Sequence, residues 1–573
     1  MHLRLRSRLL ATPRRRAVVL LLVLLVVVAL SLSAYRYSDA MSAEYRLADS
    51  AVRVIQAQAL ADSGISYAAA LLSNPSTFSG VLNSAPWNNP QAFQGVIVQP
   101  NNHPHFQGRF NLLAPPVPDE TVGSPPYRYG VNDEAAKINL NTMMALDPSG
   151  KTLYNLLMAL PDMTPDVADA IVDWIDSDSK PRANGAEEDY YQTLNPPYHC
   201  KNGPLDSLEE LLLVRGVTPE LLFGNDRNRN GVLDPSEDDG RGICDQGWSA
   251  YLTIYSREQD FDAQYNPRIN VNSSDVKTVY EKLTDAVGQD LAYYIAAYRL
   301  YGPISNPAAQ QLQIKLAGAI ANSTAGSSTS GDSTQSKSAT PTKTPATKPL
   351  AKTEQAASGG TTPKKSGSAP TTDSTQPKVA AKGERDDLDF SHKPVKTIQS
   401  LYELIGTAVN IPNKQSGTTH YECPLNDPDT LRERLPLLVD KATTRSNSEI
   451  PARININTTP LAVLTALPGL TQDDLQSIVE HRPNLLGAQP PDAIFQTPTW
   501  LITEANLAPA KLIQLEKYIT TRSQSYRVQS VGYFDRDGPR ARMEAVIDTN
   551  NGRPRIVYRR DLTELMPAFN LER

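Results

Sequence analysis

Residues 17–34 read AVVLLLVLLVVVALSLSA, and a helical pattern then continues to about Ser73. The run is 18 residues long, roughly 27 Å of helix at about 1.5 Å per residue, enough to cross a hydrocarbon core of about 30 Å. Six arginines precede it: Arg4, Arg6, Arg8, Arg14, Arg15 and Arg16. Charge on that side alone predicts a cytoplasmic N-terminus and an exported remainder. A cleaved secretory signal ends in a polar break after a shorter apolar core. Here Asp39, Glu44, Arg46, Asp49, Arg53 and Asp62 interleave with Leu47, Ala51, Val54, Leu60, Ile65, Ala68 and Leu72, and no proline occurs until Pro75. The expectation is a retained single-pass anchor continuing as an amphipathic helix.

Outward from this helix the composition is that of a modular exported chain. It has 573 residues, 21% of them charged, with net charge −6. The expected parts are a basic leader (1–16), the long helix (17–74), strands and loops (75–135) and an inserted helical domain (136–246). A strand plus a second helical repeat follow (247–321), with residues 247–256 read as one strand. Residues 322–393 are rich in Ser, Thr, Pro, Lys and Gly, and read as a disordered linker. A helical region (394–522) resumes with a helix over 397–408, and the tail (523–573) reads as three strands with Asn550-Asn551-Gly552 at the last turn. Three cysteines are too few for a disulfide scaffold, but Cys200 and Cys244 are a candidate pair for an oxidising compartment.

A repeat runs through the chain. Lys137-Ile-Asn-Leu-Asn-Thr142 returns as Arg268-Ile-Asn-Val-Asn-Ser273 and Arg453-Ile-Asn-Ile-Asn-Thr458. The last Asn, Thr or Ser of each is expected to cap a helix. After the first and third copies come Leu157–Val172 and Leu464–Val479, each reading as helix, tight turn, capped helix, with Thr164 and Thr471 as the caps. Both resemble the helix-hairpin-helix module. Such modules often hold nucleic acid, but between Lys137 and Asp178 there are two lysines against seven aspartates. Phosphate binding needs clustered cations, so a protein-packing role is the expectation.

Asp226-Arg-Asn-Arg-Asn-Gly-Val-Leu-Asp-Pro-Ser-Glu237 has the spacing of a calcium loop. Asp226, Asn228, Asn230, Asp234 and Glu237 supply oxygen at positions 1, 3, 5, 9 and 12, with the Val232 carbonyl at 7 and Gly231 at the turn. A second acidic group, Asp176, Asp178, Glu187 and Asp189, is a candidate for a second Ca²⁺. No catalytic spacing accompanies the seven histidines, and no small-molecule substrate is implied.

Together these features resemble the minor pseudopilin K family of type II secretion systems. The resemblance rests on the basic-then-apolar helix, Lys137–Thr142, Ile171-Val-Asp-Trp-Ile-Asp176, Gly185-Ala-Glu-Glu-Asp-Tyr-Tyr191, Leu194–Tyr198, Asn202–Leu211, Val214–Pro219 and Arg555–Leu562. It implies an α+β fold, a long membrane-spanning helix on an antiparallel pilin-like sheet with a large inserted helical domain. It also implies a non-enzymatic inner-membrane protein whose bulk is periplasmic and caps a short filament. The partners implied are other minor pseudopilins and the inner-membrane secretion platform, with structural Ca²⁺ as the cofactor. It places a peptidase cut between Arg16 and Ala17, where such peptidases generally take Gly rather than Arg. Leu21 then occupies the fifth mature position, where most pilin-like subunits carry Glu, and this suits a tip subunit. The rival functions are a membrane-anchored DNA receptor for uptake and a type IV pilus assembly subunit.

Overall fold

In the computed structural model, residues 14–118, 127–304, 388–413, 417–485, 491–535 and 538–565 are described. Most of the expected linker, and the leader up to residue 13, lie outside them.

One helix runs from Arg14 to Ser73. Every large apolar side chain from Val18 to Leu32 is exposed, and the helix is long and apolar enough to cross a membrane. Its last third behaves differently. Ala57, Leu60, Ala61, Ile65, Ala68 and Leu72 are buried at three- and four-residue spacing, so one stripe faces a core.

That core is one face of an antiparallel sheet. Its central path runs Val96–Gln99, Gly108–Ala114, Ser525–Phe534, Ala541–Asp548, Arg555–Asp561. The three tail strands lie where the sequence puts them. Adjacent central strands come from opposite ends of the chain: Leu112 pairs with Ser530 and Phe110 with Gly532. Between them Arg128–Tyr129 and Asn132–Asp133 still pair with the sheet, and the chain from Glu134 to Gln524 is an insertion into a helix-on-sheet module. The helix approaches the sheet closely because two glycines leave room. A Cβ on Gly532 would collide with the Ala57 carbonyl, and one on Gly64 with the Ser530 hydroxyl.

The central strand is buried on both faces. Tyr526 and Val528 pack with the helix side of the core. The alternate residues, Arg527, Gln529 and Val531, meet the insert instead, as the period-2 geometry of a strand requires. Among the described residues the insert has one large hydrophobic cluster, running from Ile138 to Ile519.

The three repeat copies have a common local structure. Ile138–Asn139, Ile269–Asn270 and Ile454–Asn455 each form a two-residue parallel pair, with Leu252–Thr253, Ala442–Thr443 and Ile519–Thr520 respectively. The basic residue of each copy faces a carboxylate: Lys137 with Glu134 at 3.9 Å, Arg268 with Asp260 at 3.1 Å, and Arg453 with Glu258. The threonine of each partner strand donates to the same carboxylate, Thr253 and Thr443 at 2.6 Å and Thr520 at 3.1 Å. The second asparagine of each copy clamps a distant backbone. Asn141 bonds Leu205, Asn272 bonds Ile398, and Asn457 bonds the Phe495 carbonyl.

These contacts correct several expectations. The cap in the first copy is Asn139, which accepts from Thr142 N–H, rather than Asn141 or Thr142. Thr164 makes no side-chain cap bond, whereas Thr471 forms a full capping box with Asp474. Residues 247–256 are a 3₁₀ turn, Gly247–Ala250, followed by a strand of only Leu252–Thr253. The helix expected over 397–408 is a single 3₁₀ turn, Leu401–Leu404, and a strand begins at Ala408. These short apolar runs take backbone partners that local pattern does not encode: Leu252–Thr253 pairs with Ile138–Asn139, and the strand from Ala408 with Gly417–Glu422.

Candidate metal centre

The loop after the helix Pro219–Phe223 closes on itself. Asp226 accepts from Asn230 N–H at 3.0 Å and from Gly231 N–H at 2.8 Å. Gly231 has φ +68, which a glycine adopts without strain. The Asn228 and Asn230 side chains both donate to Asp234, at 2.6 and 3.1 Å. Glu237 accepts from Asn228 N–H at 3.1 Å and Asp234 N–H at 3.3 Å. Asp226, Asn230 and Glu237 are 5%, 1% and 6% exposed. Burial, with Glu237 alongside, pushes the Asp226 carboxyl up to about 6. Thus five of the six residues singled out from the sequence converge by side chain. Val232 instead directs its side chain against Leu113 and Val531. Asp238, the next residue, is exposed and accepts from Gly240 N–H.

The donors are all oxygens, and two buried carboxylates face each other. That set fits a hard divalent cation and would relieve the mutual repulsion. Asp226, Asn228, Asn230, Asp234, Glu237 and the Val232 carbonyl would hold it.

The loop is also a joint. Gln529 donates to the Arg229 carbonyl at 2.8 Å, and Arg542, fully buried in the next strand, donates to the Asn228 carbonyl. Arg229 and Arg560 share Glu209, at 2.8 and 2.7 Å. The loop therefore lies on the face of the sheet opposite the long helix.

The second acidic group is partly assembled. Asp176, Asp178 and Glu187 bring one oxygen each within 4.8 Å of one another. Asp189 is exposed and stands outside that cluster, because the short helix Glu188–Tyr191 turns it outward. Glu187 is 4% exposed, and neither of its oxygens takes a hydrogen bond of ordinary geometry among the described residues. Burial raises its carboxyl, and Asp176 and Asp178 add to that. A buried carboxylate beside two others fits a cation better than an apolar contact.

Cys200 and Cys244 are free thiols, which corrects the expected disulfide. They sit in different surroundings. Cys200 lies by the Asp173 carbonyl, whereas Cys244 is in the field of Asp226, Glu237 and Asp245. Arg16 and Ala17 fall within the first turns of the long helix.

Sequence reading missed the groups that join insert to sheet. Glu134 is fully buried, accepts two bonds of 2.8 Å from Arg527 and one of 2.6 Å from Thr253. Asp133 beside it accepts from Asn455, Thr458 and Ser523. The only sequence signal was an acidic pair just ahead of the first repeat.

Two segments of the chain match known proteins. Residues 136–223 match a family model described as type II secretion system, protein K, and residues 454–510 match a second model with the same description. These two segments, one in the first repeat unit and one in the third, are similar to type II secretion system protein K. Type II secretion system protein K of Pectobacterium carotovorum subsp. carotovorum is 40% identical over 60 residues, 10% of this chain and 18% of that protein. Its counterpart in Klebsiella pneumoniae is 40% identical over 52 residues, 9% and 16% of the two chains. The matched stretches thus span less than a fifth of those protein K relatives. A chain in the crystal structure of the GspK-GspI-GspJ complex from enterotoxigenic Escherichia coli aligns over 88% of this chain and 95% of its own, with 11% identity and a TM-score of 0.32.

Proposed function

We propose that this chain is a minor pseudopilin of a type II secretion system, held in the inner membrane by its leading helix with the N-terminal side cytoplasmic. Its periplasmic body closes the tip of a short filament together with other minor pseudopilins, seated on the inner-membrane platform. The role is structural and requires no catalysis or nucleic acid.

One observation carries this reading. Both junctions of the insert, Asp133 and Ser525, lie at the end of the sheet away from the apolar half of the helix. Strand direction shows it: Phe534 packs with Ala57, Gly532 abuts Ala57, Ser525 pairs with Asp548, and Gly552 lies against the Ser73 carbonyl. Tyr526 pairs with Asp133 at that same end. A body of this size rooted there obstructs the position a further subunit would take above.

The test is to mix the full chain in detergent with the other minor pseudopilins of its own system and measure mass by light scattering. A stable complex is expected; no association at micromolar concentrations would refute the reading.

Calcium in the Asp226–Glu237 loop is part of the proposal, as a staple between insert and sheet. Chelator should lower the melting midpoint of the full chain, and Asp226→Ala should melt low and ignore chelator. Equal melting of the unaltered chain with and without chelator removes the ion.

A further inference from the structure

A recess of about 80 Å³ lies at the seam between the second and third repeat units. Four guanidinium groups line it: Arg268, Arg445, Arg453 and Arg522. Three have dedicated carboxylates. Arg268 meets Asp260 at 3.1 Å, Arg453 grips Glu258, and Arg522 grips Asp440. The side chain of Arg445 makes no hydrogen bond or ion pair among the described residues. It is half-buried, and burial together with the neighbouring Arg453 charge lowers its affinity for its own proton. The remaining carboxylate of the wall, Glu516, turns to Ser400, whose hydroxyl donates to it at 2.6 Å. Burial pushes Glu516 up to about 7, so near neutrality it only partly offsets Arg445.

A second observation points the same way. Thr521 lines the recess at 8% exposure, and its Oγ1 has no partner among the described residues. Buried hydroxyls normally find one. The site therefore offers an uncommitted planar cation, an uncommitted hydroxyl and space for several atoms. A guanidinium fork matches the two oxygens of a carboxylate or phosphate. A water would satisfy Thr521 but leave the charge unmatched.

We infer that this recess binds a small oxyanion, a carboxylate or an inorganic phosphate, with Arg445 as the principal ligand and Thr521 as a second donor. The bound ion acts as a counter-charge that ties the second unit to the third. It stands apart from the acidic loops, which attract cations.

The experiment uses the full chain in detergent, in a buffer free of oxyanions. Sodium phosphate and sodium acetate are titrated separately, against sodium chloride at matched ionic strength, while the melting midpoint is followed. A saturable rise with at least one oxyanion and none with chloride is expected. The arm that responds says which chemistry the recess takes. Arg445→Met should abolish the rise, yet melt in chloride no lower than the unaltered chain, because it removes an unmatched cation. A purely structural arginine would instead lower the midpoint in every buffer. Arg445→Lys keeps the charge and loses the fork, and should need at least about tenfold more oxyanion for the same rise. No saturable rise with either ion would overturn the proposal, as would an equal rise in Arg445→Met. If Arg445→Met does not fold, an unchanged titration for Arg445→Lys does the same.

Discussion

Replacing Glu134 by glutamine should weaken the whole molecule, although the residue belongs to neither acidic loop. Glu134 is fully buried where the insert leaves the sheet. Burial alone would raise its carboxyl, but the Arg527 charge, assisted by Lys137 and by hydrogen bonds from Arg527 and Thr253, holds it down to about 2 from an ordinary value of 4.5. A depressed carboxyl stabilises the fold at pH values above its unfolded value and stops doing so as pH falls through its folded value. The gap, at about 1.36 kcal/mol per pH unit, is about 3 kcal/mol. Breaking a buried pair by removing one partner costs about 3–5 kcal/mol. The lower end applies, because Arg527 keeps Glu544 at 3.3 Å. The assay is urea unfolding of the full chain in detergent, read by tryptophan fluorescence. At pH 7 Glu134→Gln should lose about 3 kcal/mol. The difference from the unaltered chain should narrow as pH drops from about 4.5 towards 2. A loss below about 1 kcal/mol at pH 7, or a difference that ignores pH, would show that this ion pair is no keystone.

The helix–sheet contact gives a second expectation. Gly532→Ala drives a methyl into the Ala57 carbonyl and should cost at least about 1–3 kcal/mol in the same assay, as overpacking does; a neutral result would mean the helix sits further from the sheet. The thiols give a third. Cys423 is 2% exposed, and burial holds Cys200 at about 12. Alkylation of the native chain at pH 7 should therefore be slow at Cys200 and absent at Cys423, while denatured chain should label at all three cysteines. One label rather than three in the denatured, unreduced chain would reveal a disulfide.

The convergence of Asp226, Asn228, Asn230, Asp234 and Glu237 was legible because they lie within twelve consecutive residues, and local spacing carried the geometry. The long helix and the tail strands were legible for a related reason. Their signals are periodic, and each is long enough to outweigh competing readings. The second acidic group was half legible. Asp176, Asp178 and Glu187 are brought together by a turn whose direction composition does not encode, and that turn sends Asp189 outward. Cys200 and Cys244 are a candidate pair only on the ground of an oxidising compartment, which says nothing of the surroundings in which each thiol sits.

The repeat shows most clearly where sequence reading stops. Its six-residue signature is visible three times, yet only the first copy caps a helix, through Asn139, and capping is the smaller part of its role. Each copy instead sets a basic residue, an asparagine and a two-residue strand against partners far along the chain: Thr253 for the first, Thr443 for the second, Thr520 for the third. The partners share little beyond an apolar residue followed by threonine, a signal too short to stand out alone. The carboxylates that complete each set also come from outside the signature. Glu134 precedes its copy, whereas Glu258 and Asp260 arise from one short stretch and serve the third and second copies respectively. That sharing locks the copies together. A change at 258–260 disturbs two units at once, and the seam it controls is the one where Arg445 is left without a carboxylate of its own.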